Sequence, residues 1–461
     1  MRKLSRMAVY ICKLPNKKKE EKKEKLLPEL RAPVPPAREI SPAVPEIPPR
    51  RRDHAPPRRG DSAVRLSRED ERDCILQKKQ MRRFVNLVVD NAGGGGATAY
   101  KLHRVAASAL FSSPPRRQAA NVLDPDDVED AAGGLPPPAI TFHPSSLSVG
   151  PGNVDFLRLS GDDSLLALDV DGRGLLYSAA SAAVRYMPDP CKPKMEPISF
   201  TTAGDSCLYV IERVPFSGNP GCFEALTYGL LPDDDDSLSS RMGWYWRSLP
   251  PPPFAKVGYD GDIRRHRHRR EYDITASAVV NETELWVTAH GAGTFSFDTQ
   301  AGEWRARGEW RMPFMGRGEY VEEHGGWFGL SSTPVKGLHL CSCRLCSYDV
   351  PVVRRWLDGL DRLPAAAPPK RSFLMEAYAV HLGSGRFCIA RFMEEEEEEE
   401  KDNISLHPFF RVAGEKSKND RFLLLTGVDV VGSDGAAVVV HKSIRYKFQN
   451  GDFVRGYSRL F

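Results

Sequence analysis

At 461 residues, with 41% aliphatic and aromatic and 27% charged side chains and a net charge of +4, the chain is long enough for two or three ordinary domains and apolar enough for a sizeable core. It has no apolar run long enough to span a membrane and no apolar signal region near Met1, so membrane and secreted classes are set aside and an intracellular protein, cytoplasmic or nuclear, is expected. Nine cysteines, an odd number without a framework spacing, fit a reducing compartment in which they act as small buried hydrophobes.

Residues 1–80 differ from everything after them. Through Arg83 there are 24 Lys plus Arg against 12 Asp plus Glu, a net +12 that leaves the remainder at −8. Lys17–Lys25 is a mixed charge run, and Leu27–Pro57 is so rich in proline that it can neither close a helix nor join a sheet interior. A disordered basic, Pro-rich tail is expected. A nucleic-acid-binding arm is the lesser expectation, since mixed-charge tails are more often only solvated. Arg2, Lys3 and Arg6 also fit a mitochondrial targeting peptide, against which the prolines and glutamates that follow argue.

Arg65–Arg83 reads as a short helix leading into a first strand, Phe84–Asp90. Gly93–Gly96 turns the chain into a second, Tyr100–Val105; no Lys-Ser/Thr follows, so this is a hairpin loop and not a phosphate cradle. Residues 112–138 read as a disordered surface insertion. Phe156–Pro188 holds three apolar runs about the Asp171-Gly172 hairpin signal. Ser206–Arg213, Cys222–Tyr228 and the Trp-bearing Trp244–Phe254 continue the series, with further loop insertions at 231–240 and 259–271.

Ile274–Phe314 shows the repeating unit most clearly. Its apolar runs Ala276–Val280, Leu285–Ala289, Thr294–Phe297 and Trp304–Trp310 are divided by turn residues at Asn281-Glu282, Gly291–Gly293 and Thr299–Gly302, predicting four antiparallel strands. The unit resembles a kelch-like propeller blade, in which a Gly pair closes the second strand, an aromatic-Asp step ends the third and a Trp begins the fourth. Those places are held by Gly291 and Gly293, by Phe297-Asp298 and by Trp304, with Trp310 closing the run. Gly325-Gly326 within Gly318–Ser331, and Tyr348-Asp349 ahead of Trp356, repeat the signature. Ala377–Phe392 and Phe422–Phe448 supply the last paired strands, separated by a glutamate-rich loop at 393–403.

The fold expected for residues 81–461 is therefore all-β: a kelch-like β-propeller of about six four-stranded antiparallel blades, each burying its two faces on its neighbours. Trp304 and Trp356 are expected buried at the start of outer strands. Open sheet edges invite aggregation, so Phe84–Asp90 is expected to share a blade with Ala436–Val440 and Ser443–Phe448.

Three constellations bear on chemistry. His339, Cys341, Cys343 and Cys346 offer soft ligands, but a strand sends Cys346 to the face opposite Cys341 and Cys343, and no second pair lies nearby; no metal is expected. Arg264–Arg270 is a cationic loop without a groove-fitting element, so nucleic acid is not expected there. The Glu394–Glu400 run reads likewise as a solvated loop. His290, His324 and His381 fall near blade turns, and Gly383-Ser384-Gly385 is no nucleophile elbow. No catalytic residue, cofactor or metal site is assigned, and an enzyme is not expected.

Taken in order, FLRLSGDDSLLALDVDGRGLLYS, SCLYVIERVP, CFEALTYG, WYWRSLPPPPF, GAGTFSFDT, HLGSGRFCIARF and LLTGVDVV resemble a large plant family of unknown function recognised as kelch-like, F-box-associated-type propellers. The resemblance covers nearly all of 81–448. It implies a binding scaffold and no activity; the repeat scaffold, the missing catalytic constellation and the variable loops lead us to expect a monomeric, non-enzymatic interaction protein whose propeller-face loops hold a protein partner. Beyond Leu26–Leu30 the segment before the propeller lacks the three-helix pattern of an F-box. The alternatives are a channel-sited hydrolase or oxidase, a ubiquitin-ligase substrate-recognition subunit and a basic-arm nucleic-acid binder.

Overall fold

A computed structural model describes residues 81–91, 99–112, 128–144, 154–159, 164–202, 207–215, 221–232, 241–255, 272–331, 339–345, 353–355, 370–397, 420–432, 437–448 and 452–453. The basic tail, Gly93–Gly96 and the insertion at 259–271 with its Arg264–Arg270 run lie outside the described residues.

Strands β1 (Phe84–Asn91) and β2 (Ala99–Ala106) form an antiparallel hairpin; a short β3 (Val128–Asp130) follows, then β4 (Ile140–Phe142) on the far side of β2. β5 (Val154–Leu159), β6 (Ser164–Asp169), β7 (Gly174–Ser178) and β8 (Ala183–Met187) make one four-stranded meander. β9 (Ile198–Thr201), β10 (Cys207–Ile211), β11 (Phe223–Leu230) and β12 (Met242–Ser248) make the next. β13 (Ile274–Val280), β14 (Glu284–Ala289), β15 (Gly293–Asp298) and β16 (Glu303–Gly308) lie beside β17 (Gly316–Val321), β18 (Gly326–Leu330), β19 (Leu340–Cys343) and β20 (Val353–Arg355). Parallel pairing of Ala276–Ala278 with Gly316–Gly318 fuses these two meanders into one eight-stranded sheet. β21 (Lys370–Gly383), β22 (Arg386–Glu397), β23 (Asp420–Val431) and β24 (Ala437–Lys447) form the last meander, and β25 (Asp452–Phe453) returns to pair with Asp90 and Asn91 of β1.

Local chemistry accounts for the turns. Asn281 and Glu282 take φ of 51° and 61°, the left-handed pair that a tight hairpin between β13 and β14 needs. Gly293 has φ of 96°, and a Cβ there would stand 2.4 Å from the Gly308 carbonyl oxygen, so only glycine lets β15 and β16 approach. Asp298 accepts N–H bonds from Gln300 and Ala301, both 3.0 Å long; these bonds, that of Ala301 foremost, hold its carboxyl below its ordinary pKa.

Each sheet hides both faces, which is why strands such as β6, SLLALD, are buried along their whole length. Val88, Tyr100 and Leu102 of the first sheet pack on Phe156 and Ala167 of the second. Leu157, Leu166 and Leu168 of the second pack on Leu208, Val210 and Leu226 of the third. The third packs on β14 and β15 through Tyr209, Phe223, Val287 and Phe297; Ala278 and Trp286 pack on Trp327 and Cys341; Phe328 and Leu340 pack on Phe387 and Val428. Lastly, Val85, Leu87 and Val89, on the other face of β1, pack on Val380, Cys388, Ala390 and Leu425.

Four expectations are corrected. The first strand meets the chain's end through β25, whereas the two runs expected over Ala436–Val440 and Ser443–Phe448 are, among the described residues, one strand, β24 (Ala437–Lys447), which continues the last meander. The loop foreseen over 112–138 contains β3, which pairs in parallel with Ser443–Arg445 because Asp130 and Glu129 find Arg445 and Lys442 there. The loop foreseen at 393–403 begins as strand: Glu394 lies 3.6 Å from Arg421 and Glu395 4.0 Å from Arg445, so cross-strand cations offset the acidic run. Met81–Arg83, the end of the helix expected over 65–83, is not helical, and the Arg82 N–H donates to the Leu382 carbonyl.

Candidate functional site

Side chains from three sheets and a connecting loop meet where β9 and β13 begin. Glu196 ends the loop between β8 and β9, Arg213 follows β10, Asp273 precedes β13 and Glu376 lies on β21. Arg213 Nε donates to Asp273 Oδ1 at 2.7 Å and stands 3.8 Å from the Glu196 carboxylate, while the Arg213 carbonyl accepts the N–H of Ile274. Glu376 accepts the Tyr378 hydroxyl at 2.7 Å and is felt electrostatically by Glu196. The Glu196 pKa is raised, by burial of its surroundings first and then by Asp273 and Glu376, against the pull of Arg213; with 63% of the side chain in solvent the shift is screened. Beside these charges in sequence stand exposed Met195, Val214 and Met375, and Met315 is exposed just ahead of β17.

A buried polar clamp holds the loop that carries Met195 and Glu196. Lys194 and Glu224 form an ion pair whose side chains are 1% and 0% exposed. Lys194 also donates to the Lys192 carbonyl at 2.7 Å, and Glu224 accepts the Cys191 N–H at 3.0 Å. Lys192 Nζ reaches Glu212, next to Arg213, at 2.9 Å. Burial raises the Glu212 pKa against the opposing pull of Lys192 and Lys194.

A second polar cluster joins four sheets. Arg82, just before β1, lies 3.4 Å from Glu319 of β17, and Arg317, His381 of β21 and Arg158 of β5 act on the same carboxylate. Burial works to raise the Glu319 pKa, but the combined field of these cations outweighs it and leaves the carboxyl below its usual value. Burial lowers the His381 pKa; Arg82 and His324 add to that, and Glu319 and Glu323 oppose it. His324 and His381 are thus brought into one neighbourhood, whereas exposed His290 sits at the β14–β15 turn.

The blade-signature residues serve the scaffold. Phe297 is buried and meets the rings of Phe223 at 4.9 Å and Trp304 at 5.2 Å. Trp304 is only half-buried, at the second position of β16, and its indole N–H donates to the Pro250 carbonyl. Trp310 lies 6.1 Å from Trp286. Gly291 lies within the β14–β15 turn and Gly293 opens β15, and Gly325, with φ of 57°, turns the chain into Gly326 and β18. Tyr348, Asp349 and Trp356 lie outside the described residues, as does Cys346. Cys341 and Cys343 share one buried face with Trp286 and Phe314, as small hydrophobes. Among the described residues no group of three His, Cys, Asp or Glu side chains is placed to hold a metal ion, and no helix is long and apolar enough to cross a membrane.

Comparison with curated proteins finds no match. Among solved structures, the β-propeller domain of Cps50 (Swd1) from Myceliophteria thermophila is similar at 11% identity and a TM-score of 0.24, over 45% of this chain and 56% of that one. The family described as "Protein of unknown function (DUF1668)" matches residues 82–446. With that match covering most of its length, the chain belongs to the DUF1668 family.

Proposed function

We propose that residues 81–461 are a kelch-like β-propeller of six blades, completed by β25 beside β1, and that the protein is a non-enzymatic, monomeric, intracellular interaction scaffold. Support for the blade count is the cyclic order of the six apolar interfaces, in which the last sheet packs on the free face of the first. In this reading the starts of the inner strands make one face of the propeller.

One observation carries the functional reading: Glu196, Arg213, Asp273 and Glu376 lie near one another, with exposed Met195, Val214 and Met375 next to them in sequence and exposed Met315 just ahead of β17. Exposed, flexible methionines next to a charge cluster in which Glu196 is open to solvent suit a protein surface better than a small-molecule pocket. The buried Lys194–Glu224 pair keeps the loop in place before a partner arrives, which lowers the ordering cost of binding.

The test compares proteins retained from plant tissue by the full chain and by its Met195→Ser, Val214→Ser, Met315→Ser, Met375→Ser variant. A partner held by the first and lost by the folded variant is expected. Equal retention by both would move the binding surface elsewhere, and substrate turnover by the purified chain would overturn the non-enzymatic reading.

A further inference from the structure

Strand β3 does not belong to the meander it extends. The last sheet runs β21 to β24 by successive antiparallel hairpins, and β3 joins its outer edge in parallel from a segment more than 300 residues earlier. Its register sets Val128, Glu129 and Asp130 opposite Ser443, Ile444 and Arg445, and the Ala131 N–H adds a bond to the Arg445 carbonyl.

Side chains repeat the specificity of the backbone ladder. Val128 packs against Met393, Phe422 and Leu424. Asp130 receives two bonds from the Arg445 guanidinium, at 2.5 and 3.0 Å, and Glu129 pairs with Lys442. The arrangement reads an apolar residue followed by two acids in extended form, with backbone bonds supplying attachment and side chains supplying selection. Three residues and ion pairs whose acids are 62% and 52% exposed make a light attachment, since exposed pairs contribute little and are screened by salt.

We propose that the outer edge of β24 is a docking site for an extended acidic peptide of a partner protein, of the pattern apolar-acid-acid, and that β3 occupies it in cis. The tether holds β3 at an effective concentration on the order of millimolar, so a partner strand enters only when it exceeds that or when β3 is drawn away. Lys442 and Arg445 select against basic strands, and the covered edge is protected from unselective pairing.

The test uses a labelled peptide with the sequence of residues 126–133, DDVEDAAG, and the full-length chain. Fluorescence anisotropy should show at least ten-fold tighter binding to a Val128→Pro, Glu129→Lys, Asp130→Lys variant than to the wild type. Binding should vanish when Arg445→Glu is added or when the acids of the peptide are replaced by lysine. Equal binding to wild type and variant, or none to a variant that still melts cooperatively, would overturn the proposal. So would displacement of the peptide by a single-stranded oligonucleotide as effectively as by unlabelled peptide. Hydrogen exchange on the wild type decides the matter should the variant fail to fold. Exchange at Ala131 at least 100-fold faster than at Leu423–Leu425 supports a strand that detaches, and equal protection overturns it.

Discussion

Two ion pairs each fasten a peripheral segment to a sheet, and they differ in how much water they see. Lys194 and Glu224, 1% and 0% exposed, clamp the loop before β9; Arg445 and Asp130, 29% and 52% exposed, clamp β3 to β24. Coulomb attraction is far stronger where water is excluded, but so is the penalty for a charge left alone there. The buried pair therefore acts as a fixed part of the scaffold. The exposed pair is suited to exchange. Both are direct side-chain ion pairs, the exposed one with the more directional two-bond geometry, and it is burial that assigns one to architecture and the other to recognition.

Breaking the buried pair should give the largest effect. Lys194→Met leaves the Glu224 carboxylate uncompensated and should lower stability by about 3–5 kcal/mol, while the double change Lys194→Met, Glu224→Leu should recover most of the loss. Urea unfolding midpoints of the full chain compare the three proteins. A double variant as unstable as the single one would mean that the pair contributes packing and not charge compensation.

Next in size is Trp304→Ala. Fully buried large aromatics cost about 3–5 kcal/mol on truncation; the half-buried Trp304, between Phe223 and Phe297, should cost about 2–3 kcal/mol. Tyr186, 88% exposed on an edge strand, should change by less than about 0.5 kcal/mol when truncated. Equal losses would place Trp304 outside the seam between β11 and β15.

The same contrast explains what could be read from the residues alone. Asn281-Glu282, Gly293 and Asp298 act within a few positions of themselves, so the turns and strands of 274–308 were legible as local chemistry. Lys194 and Glu224 are 30 residues apart, one in the proline- and charge-bearing link between two apolar runs and the other inside the run Cys222–Tyr228, and only the fold buries them together. The Glu394–Glu397 strand and β3 were missed for a related reason: acidic residues argue for loops unless cations stand on the next strand, and Arg421 and Arg445 come from distant sequence. The candidate face was likewise hidden, because Glu196, Arg213, Asp273 and Glu376 have no common motif. Strand content is local information. Site content here is not.

His381 supplies a pH test between these extremes. Burial, with Arg82 and His324, lowers its folded-state pKa from 6.5, so the folded chain holds the proton less tightly than the unfolded one. The stability it contributes is present above about pH 6.5 and is lost as pH falls through the depressed folded value. Glu319, whose pKa lies below 4.5, remains charged over the upper part of that range. From pH 7.5 to 5.5 the wild type should lose more stability than His381→Gln. Parallel losses would show that the histidine is already solvated in the folded state.

The smallest expected change is the most informative about β3. Asp130→Ala removes both bonds from Arg445, yet the groups are exposed, so global stability should fall by no more than about 1 kcal/mol and by less at high salt. The Asp130 pKa is lowered, chiefly by the Arg445 hydrogen bonds, so this contribution is present above the ordinary value of 3.8 and disappears as pH falls through the folded one. Near neutral pH only salt should weaken it. Protease susceptibility around Val128 should rise in the variant, and should rise in the wild type as salt is added, while the urea midpoint barely moves. A large fall in the midpoint would show that β3 is built into the cooperative fold like the Lys194 clamp, and the distinction between a fixed and an exchangeable fastening would not hold.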